Sequence, residues 1–162
     1  MSERVQHEGG NGAGTPAAVG HERMLASTTE FRVRYAEVDQ MKFVYYGRYL
    51  EYFEMARTDM LRLIGLPYSE VEKQGFFLPV LEAHVKYRHP AHYDETILVK
   101  SMMKGNPPVR ILIEYEVTNK ETGTLIATGS THHAFLNPET GAVTRAPKIF
   151  TDAVEAYYAA HC

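Results

Sequence analysis

Residues 35–57 have the sequence YAEVDQMKFVYYGRYLEYFEMAR, in which a polar loop leads into an amphipathic helix. Beyond the loop, apolar residues recur at steps of 3, 3, 4 and 4, so they lie on one helical face. Gly65 and Pro67 follow, and these residue types end helices. The stretch therefore predicts one long helix whose buried face carries Leu50, Phe53, Ala56, Met60 and Ile64.

Strand patterns flank this helix on both sides. Before it, Phe31, Val33 and Tyr35 alternate with other residues, which indicates a half-buried strand at the start of the folded part. After it, short turn-rich connections join successive strands, and this favours an antiparallel meander. The sequence predicts an α+β domain, a curved antiparallel sheet packed on one helix. The strands are expected at 78–89, 95–104, 109–119 and 124–136, with a short helix at 69–74, capped by Ser69, and a final helix at 148–160.

The composition sets limits on the class of protein. Of 162 residues, 44% are hydrophobic and 23% are charged, which is ordinary for a globular domain. A net charge of -3 argues against broad nucleic-acid binding. Cys162 is the only cysteine, so an internal disulfide is impossible and a reducing compartment is expected. We find no signal peptide and no run of about 20 apolar residues, so we expect a cytoplasmic protein without a membrane span.

The domain organisation is simple. Residues 1–28 are rich in Gly, Ala, Glu and Pro, and such a segment buries too little apolar surface to fold, so we expect a flexible tail. Residues 29–162 are expected to form the single domain. One helix cannot cover strands of this length, so the remaining apolar surface and open edges predict association with a second copy of the chain.

The quoted stretch resembles the signature of the 4-hydroxybenzoyl-CoA thioesterase family, which includes acyl-CoA thioesterases associated with the Tol–Pal system. The shared features are an Asp after the first strand, Val44-Tyr45 before the helix, and a Phe-Glu-x-Ala-Arg core within it. Residues 87–95 also resemble the family. The resemblance implies a hotdog fold, dimers that pair sheets edge to edge, often in tetramers, and hydrolysis of acyl-CoA at a subunit interface without metal or organic cofactor.

The same resemblance implies the catalytic residues. Asp39 is expected to attack the thioester carbonyl directly, or to deprotonate a water that does so, and both routes stay open. The backbone N–H of Tyr46 or Gly47, at the positive end of the helix dipole, is expected to hold the developing oxyanion. Gly47 also suits the N-cap of the helix. The Tyr46 phenol could touch the thioester or line the acyl pocket.

Two positions depart from the family pattern. Lys42 stands where the family commonly has Gly, so the loop is expected to take a different path. Arg48 stands where Asn is usual, and it could contact a CoA phosphate or alter the mouth of the pocket. CoA carries several phosphates, so a basic rim is expected. The candidates are Arg48, Lys86, Arg88, Lys104 and Arg110, with Lys86 and Arg88 predicted to share a strand face.

Other chemistries are less well supported. His132 and His133 are adjacent on a predicted strand and point to opposite faces, so no metal site is expected. A first rival function is a hotdog hydratase or dehydratase, but that class uses a catalytic His, and no His lies between His21 and His84. A second rival is a non-catalytic acyl-CoA sensor.

Overall fold

The computed structural model describes residues 22–162, so most of the proposed tail lies outside the described residues. Five main strands and a short sixth form one antiparallel sheet in the spatial order β1-β3-β4-β5-β2, with β6 pairing with β5. A 3₁₀ turn over Tyr35–Glu37 follows β1. The strands are β1 (Met24–Arg32), β2 (Val80–Tyr87), β3 (Thr96–Lys104), β4 (Arg110–Asn119), β5 (Leu125–Leu136) and β6 (Val143–Thr144), and the helices are α1 (Arg48–Leu63), α2 (Tyr68–Lys73) and α3 (Lys148–His161).

The first strand begins earlier than the sequence predicts. Strand β1 starts at Met24, so the expected boundary between tail and domain at residue 28 falls inside it. The segment pairs along its whole length with β3, and Leu25 is fully buried. Its polar residues gain backbone hydrogen bonds from the sheet, a source of stability that side-chain hydrophobicity does not reveal. The strand also ends at Arg32, and Tyr35 lies in the 3₁₀ turn with its side chain exposed.

The predicted meander is only partly correct. Strands β3, β4 and β5 are sequential neighbours, as the short turns indicate. Strand β2 instead pairs with β5 at the far edge of the sheet, and the connection at residues 88–95 carries the chain back across to β3. Connection length alone does not distinguish a hairpin from this crossover, because eight residues are enough for either.

Helix α1 packs on one face of the sheet, mainly against β1 and β3. Phe53, Ala56 and Met60 are buried as predicted, whereas Leu50 is exposed and Tyr49 and Tyr52 are buried in its place. The Phe53 side chain reaches further across the sheet, because its ring stacks on Tyr115 of β4 and covers the backbone of β5 at Gly129. The approach to β5 is so close that a Cβ at Gly129 would lie 2.4 Å from the Phe53 ring.

The remaining helices match their predicted positions within one or two residues. The N-cap of α2 is Pro67 and not Ser69. Helix α3 buries Phe150, Val154 and Tyr158, and the Tyr158 hydroxyl donates to the Gly105 carbonyl at 2.7 Å. Strand β2 is different from the rest of the sheet: its side chains are exposed or half-exposed, and its outer edge has no partner strand among residues 22–162.

Candidate active site

Asp39 lies in a tight loop between β1 and α1. Val38 pairs with Val44 across the loop, and the Asp39 N–H donates to the Phe43 carbonyl at 2.9 Å. The Asp39 Oδ1 atom accepts the Met41 N–H at 2.8 Å, which closes an Asx turn. The Oδ2 atom accepts no hydrogen bond from the described part of the chain, and the residue is half-buried. One carboxylate oxygen therefore holds the loop, and the other remains available to a ligand.

Glu37 joins this loop to the helix. Its carboxylate is only 4% exposed and accepts hydrogen bonds from the Arg34 N–H at 2.9 Å and the Tyr52 hydroxyl at 3.1 Å. Its backbone carbonyl accepts the Tyr45 N–H at 2.8 Å. A buried carboxylate is stable only when its oxygens are hydrogen-bonded, and here the partners come from both the loop and α1. Glu37 thus sets the position of Asp39 relative to the start of the helix.

The start of α1 presents free backbone donors. Gly47 is the N-cap residue, and the Arg48 N–H donates to the Tyr45 carbonyl at 2.9 Å. The N–H groups of Tyr46 and Gly47 donate to no other residue in the described region. Unpaired N–H groups of this kind carry the positive end of the helix dipole and bind anionic oxygens. Gly47 also lets the Tyr45 ring pack closely, because a Cβ there would lie 2.9 Å from that ring and the ring would have to shift.

A cavity of about 280 Å³ brings Asp39 next to this helix start. The Tyr87 side chain lines one side of this cavity, and its hydroxyl donates to the Tyr46 carbonyl at 2.9 Å. The Tyr49 ring lies edge-on to Tyr87, and burial raises the pKa of Tyr49 to about 12. The full lining is Asp39, Met41, Phe43, Val44, Tyr46, Tyr49, Tyr87, Arg88, His89 and Pro90.

Asp39 also borders a second and larger cavity of about 680 Å³. This cavity is lined in part by Tyr35, Lys42 and Tyr93, and the two tyrosine rings contact each other edge to face with centroids 5.7 Å apart. Lys42 has a φ of 67°, the left-handed conformation that favours glycine. The lysine therefore takes a backbone conformation that a glycine would adopt without strain, and the changed loop path stays a prediction.

The predicted substrate-binding residues do not gather at Asp39 within one chain. Arg88 lines the Asp39 cavity, but Lys86 and Lys104 line a separate groove of about 460 Å³ with Glu114 and Glu116. Lys86 and Arg88 do not share a strand face as predicted. The N–H groups of Arg88 and His89 both donate to the Ile126 carbonyl, and this irregularity just beyond the end of β2 breaks the alternation of side chains.

The other two basic candidates lie elsewhere. Arg48 donates to the Glu51 carboxylate at 2.9 and 3.0 Å and to the Ala36 carbonyl at 3.4 Å, so its charge is neutralised locally. Arg110 is exposed at the start of β4 and forms no ion pair with the described residues.

Two residues of this site were not identified from the sequence. Glu37 stands two positions before Asp39, and an acidic residue in a loop normally indicates solvent exposure. Tyr87 is the last residue of β2, and its hydrogen bond to Tyr46 joins residues far apart in the chain. Neither role has a local sequence signal, because both depend on contacts across the fold.

The histidines occupy the faces that strand alternation predicts. His133 is completely buried and His132 is half-exposed on the other face of β5. His133 belongs to a buried chain of hydrogen bonds with Thr131, Tyr115 and Arg57. Burial, with the nearby Arg57 charge, lowers the pKa of His133 to about 4. Within residues 22–162, no group of three or more His, Cys, Asp or Glu side chains is arranged to hold a metal ion.

Comparison with known proteins places the chain in a family. Residues 33–154 match the model described as the thioesterase-like superfamily. The chain belongs to the thioesterase-like superfamily. Its sheet and central helix are those of the superfamily's hotdog fold, and the protein is a thioester hydrolase. Within residues 22–162, every helix is too short or too polar to cross a membrane.

Individual members of the thioesterase-like superfamily resemble the chain over most of its length. YneP of Bacillus subtilis, which carries the name acyl-CoA thioesterase, is 33% identical over 134 residues, covering 83% of this chain and 96% of that protein. The DHNA-CoA thioesterase of Staphylococcus aureus is 36% identical with a TM-score of 0.75, covering 83% and 90% of the two chains. The 1,4-dihydroxy-2-naphthoyl-CoA thioesterase of Synechocystis is 25% identical with a TM-score of 0.74, covering 80% and 95%.

Proposed function

We propose that this protein hydrolyses acyl-CoA to the free acid and CoA, with Asp39 as the catalytic carboxylate. The observation that carries the proposal is the position of Asp39. Its Oδ2 atom is free of hydrogen bonds to the described residues, and it borders the cavity that also contains the start of α1. A carboxylate and a set of unpaired amides on one cavity are what acyl transfer requires.

The chemistry follows from this arrangement. The thioester oxygen accepts from the N–H of Tyr46 or Gly47 while negative charge develops on it, and one such donor typically stabilises the transition state by about 2.7–4 kcal/mol. In the nucleophilic route, Asp39 forms a mixed anhydride, the C–S bond breaks, and CoA leaves as the thiolate. Water then hydrolyses the anhydride. In the general-base route, Asp39 takes a proton from the water that attacks the carbonyl, and the C–S bond breaks in the same way.

The lining of the Asp39 cavity supports an aromatic acyl group. Phe43, Tyr46, Tyr49 and Tyr87 surround it, and aromatic rings pack favourably against one another. The Staphylococcus aureus and Synechocystis relatives are named for a naphthoyl-CoA substrate, which agrees with this choice. We therefore expect aromatic acyl-CoAs, such as benzoyl-CoA, 4-hydroxybenzoyl-CoA or 1,4-dihydroxy-2-naphthoyl-CoA, to be hydrolysed faster than palmitoyl-CoA.

A second copy of the chain is part of the proposed active unit. The cavity next to Asp39 is open in the single chain, and four of the five basic candidates for CoA binding are absent from its lining. The exposed edge of β2 adjoins this cavity through Tyr87 and Arg88. Pairing of two chains along β2 would close the cavity and allow one protomer to supply basic residues to the CoA bound by its partner.

The test measures hydrolysis of a panel of acyl-CoAs, with the release of free CoA thiol as the readout. Cys162 is an exposed thiol and would react with the thiol reagent, so the assay is best performed in a Cys162→Ser background. The panel contains acetyl-CoA, palmitoyl-CoA and the aromatic acyl-CoAs above. We expect Asp39→Asn and Asp39→Ala to lower kcat by roughly 100-fold or more. The matched control is Asp152→Asn, an exposed carboxylate on α3.

Each outcome of this assay favours one function. Hydrolysis that is lost with Asp39 and retained in Asp152→Asn supports the proposal. Hydrolysis that survives in Asp39→Ala would refute the site assignment but not the enzyme class. Saturable binding of acyl-CoA with no turnover of any panel member would favour the sensor. In a separate assay with crotonyl-CoA, a loss of enoyl absorbance without release of thiol would favour the hydratase.

A further inference from the structure

The hydrogen bond between Tyr87 and the start of α1 joins two distant parts of the chain. Tyr87 is the last residue of β2, and its hydroxyl donates to the Tyr46 carbonyl at 2.9 Å. The Tyr87 ring is held edge-on against Tyr49, with ring centroids 5.3 Å apart. Tyr49 is itself 3% exposed, so one side of the Tyr87 ring rests on a fixed surface. The hydroxyl is thereby positioned by packing as well as by its acceptor.

The carbonyl that accepts this hydrogen bond belongs to the peptide group between Tyr46 and Gly47, at the start of α1. The Tyr46 carbonyl and the Gly47 N–H are part of the same planar peptide unit and point in opposite directions. A hydrogen bond to the carbonyl oxygen fixes the orientation of this plane. It also polarises the peptide, which makes the N–H a stronger donor, because hydrogen bonds in a chain strengthen one another. The Gly47 N–H donates to no described residue, so it is available as a strengthened donor to a ligand oxygen.

We infer that Tyr87 is a positioning residue that orients and polarises the Tyr46–Gly47 peptide as the donor to the thioester oxygen. This inference rests on the proposed function, because it assigns a role to an amide in that reaction. Tyr87 itself touches the peptide and not the reacting carbonyl. Burial of the phenol raises the pKa of Tyr87, and the neighbouring Tyr46 contributes, so the hydroxyl remains a donor throughout the neutral pH range.

The hydrogen bond from Tyr87 also links the position of the donor peptide to strand β2. Tyr87 lies on β2, the strand with the open edge, whereas Asp39 and the helix start belong to the segment after β1. Precise placement of the donor therefore depends on how β2 sits against α1. Rotation of the peptide plane away from the oxyanion weakens the interaction, because hydrogen bonds favour donor angles above about 150° and weaken steeply below about 120°.

The test is Tyr87→Phe, which removes the hydroxyl and keeps the ring on Tyr49. Activity is measured with benzoyl-CoA, or with the panel member that the Cys162→Ser protein hydrolyses fastest. We expect kcat to fall roughly three- to tenfold, as for loss of one neutral hydrogen bond, with KM changed by less than about twofold. The matched control is Tyr157→Phe on α3, whose hydroxyl bonds to no described residue and whose kcat should not change.

A spectroscopic readout separates positioning from general support of the fold. In an Asp39→Asn background, benzoyl-CoA labelled with ¹³C at the carbonyl is bound and its carbonyl stretch is recorded by infrared difference spectroscopy. We expect the shift to lower frequency on binding to be smaller when Tyr87→Phe is added. Tyr157→Phe should leave the stretch unchanged.

Failure of the inference and failure of the proposed function give different results. If the parent enzyme hydrolyses thioesters and Tyr87→Phe retains both full kcat and an unchanged carbonyl stretch, Tyr87 has no positioning role and the proposed function stands. If Tyr87→Phe changes KM alone, Tyr87 contacts substrate and the inference is wrong. If the parent protein hydrolyses no panel member, both are overturned.

Discussion

At the scale of single residues, the loop before α1 combines the proposed catalytic carboxylate with local backbone strain. Asp39 caps its own loop through Oδ1, and Glu37 anchors the loop to the helix from a buried position. Lys42 completes the turn at a φ of 67°. For an L-residue with a Cβ, this conformation costs about 1–2 kcal/mol relative to the right-handed region. The chain keeps a lysine here at that cost, with its side chain on the larger Asp39 cavity.

Lys42→Gly should raise the free energy of unfolding by about 0.5–1 kcal/mol. Glycine removes the left-handed strain, and the greater freedom of glycine in the unfolded chain offsets part of the gain. Urea denaturation of the variant and of the unmodified protein provides the comparison. Lys42→Ala is the matched control, because it removes the same side chain but retains the strain, and it should give no such increase. Equal stability of the two variants would show that the turn is unstrained.

At the scale of elements, the packing of α1 on the sheet is organised around a directional chain of hydrogen bonds. Arg57 of α1 donates to the Tyr115 hydroxyl at 3.2 Å, and the Tyr115 and Thr131 hydroxyls lie 2.8 Å apart. Thr131 contacts Nε2 of His133 at 2.8 Å, and Nδ1 of His133 lies 3.2 Å from the Pro79 carbonyl. Every group is satisfied when each donates to the next, which requires a neutral His133 protonated on Nδ1.

Protonation of His133 should therefore destabilise the fold. A proton on Nε2 would donate to the Thr131 oxygen, so the Thr131 hydroxyl could no longer donate to His133 and the chain of donors would be broken. The pKa of His133 is lowered from 6.5 to about 4 in the folded protein. Between these pH values the unfolded chain binds a proton that the folded chain does not, so stability is complete above pH 6.5 and decreases as the pH falls toward 4. The loss is on the order of 3 kcal/mol.

Urea denaturation at pH 7 and at pH 4.5 measures this effect. His133→Gln should be less stable at pH 7 but should lose less stability on acidification than the unmodified protein. His132→Gln, on the opposite face of β5, is the matched control and should keep the original pH dependence. An identical pH dependence in His133→Gln would mean that other groups, and not this hydrogen-bond chain, cause the acid sensitivity.

At the scale of the whole molecule, strand β2 is a sheet edge whose outer side has no partner strand among residues 22–162. It has exposed apolar side chains, including Val80, Leu81 and Tyr87. An exposed edge of this kind favours pairing with another strand. The opposite edge, β1, is different, because α3 contacts it and Arg23 beside it pairs with Glu155 of that helix at 2.7 Å. Self-association is therefore expected along β2.

Light scattering at micromolar concentration should give at least twice the 18.3 kDa mass of one chain. Leu81→Lys places a charge on β2 and should shift the protein toward monomer and lower its thioesterase activity. Leu112→Lys on β4 is the matched control, since Leu81 and Leu112 are 41% and 42% exposed, and it should leave the pairing along β2 intact. A monomeric unmodified protein that is fully active would refute this assembly.

Much of the site depends on contacts that sequence patterns do not report. The Asp39 loop, the helix start at Gly47 and the alternation of His132 and His133 all follow from local preferences. Glu37, Tyr87 and the register of β1 do not. Their roles require a buried charge, a hydrogen bond between residues 41 positions apart, and a strand whose apolar content is too low to be recognised.

The amino-acid sequence alone determined the main helix and the long strands, because these rest on periodicity and on residues close together in the chain. Asp39, the carboxylate that the proposed chemistry uses, was identified through the resemblance of residues 35–57 to a known family. Only the tertiary structure decided that β2 pairs with β5, that Arg88 faces Asp39 while Lys86 faces away, and that Tyr87 reaches the helix start. The physical reason is that strand pairing and side-chain burial are set by the packing of the whole core. A local pattern fixes which face of a strand is apolar, but not which strand lies beside it.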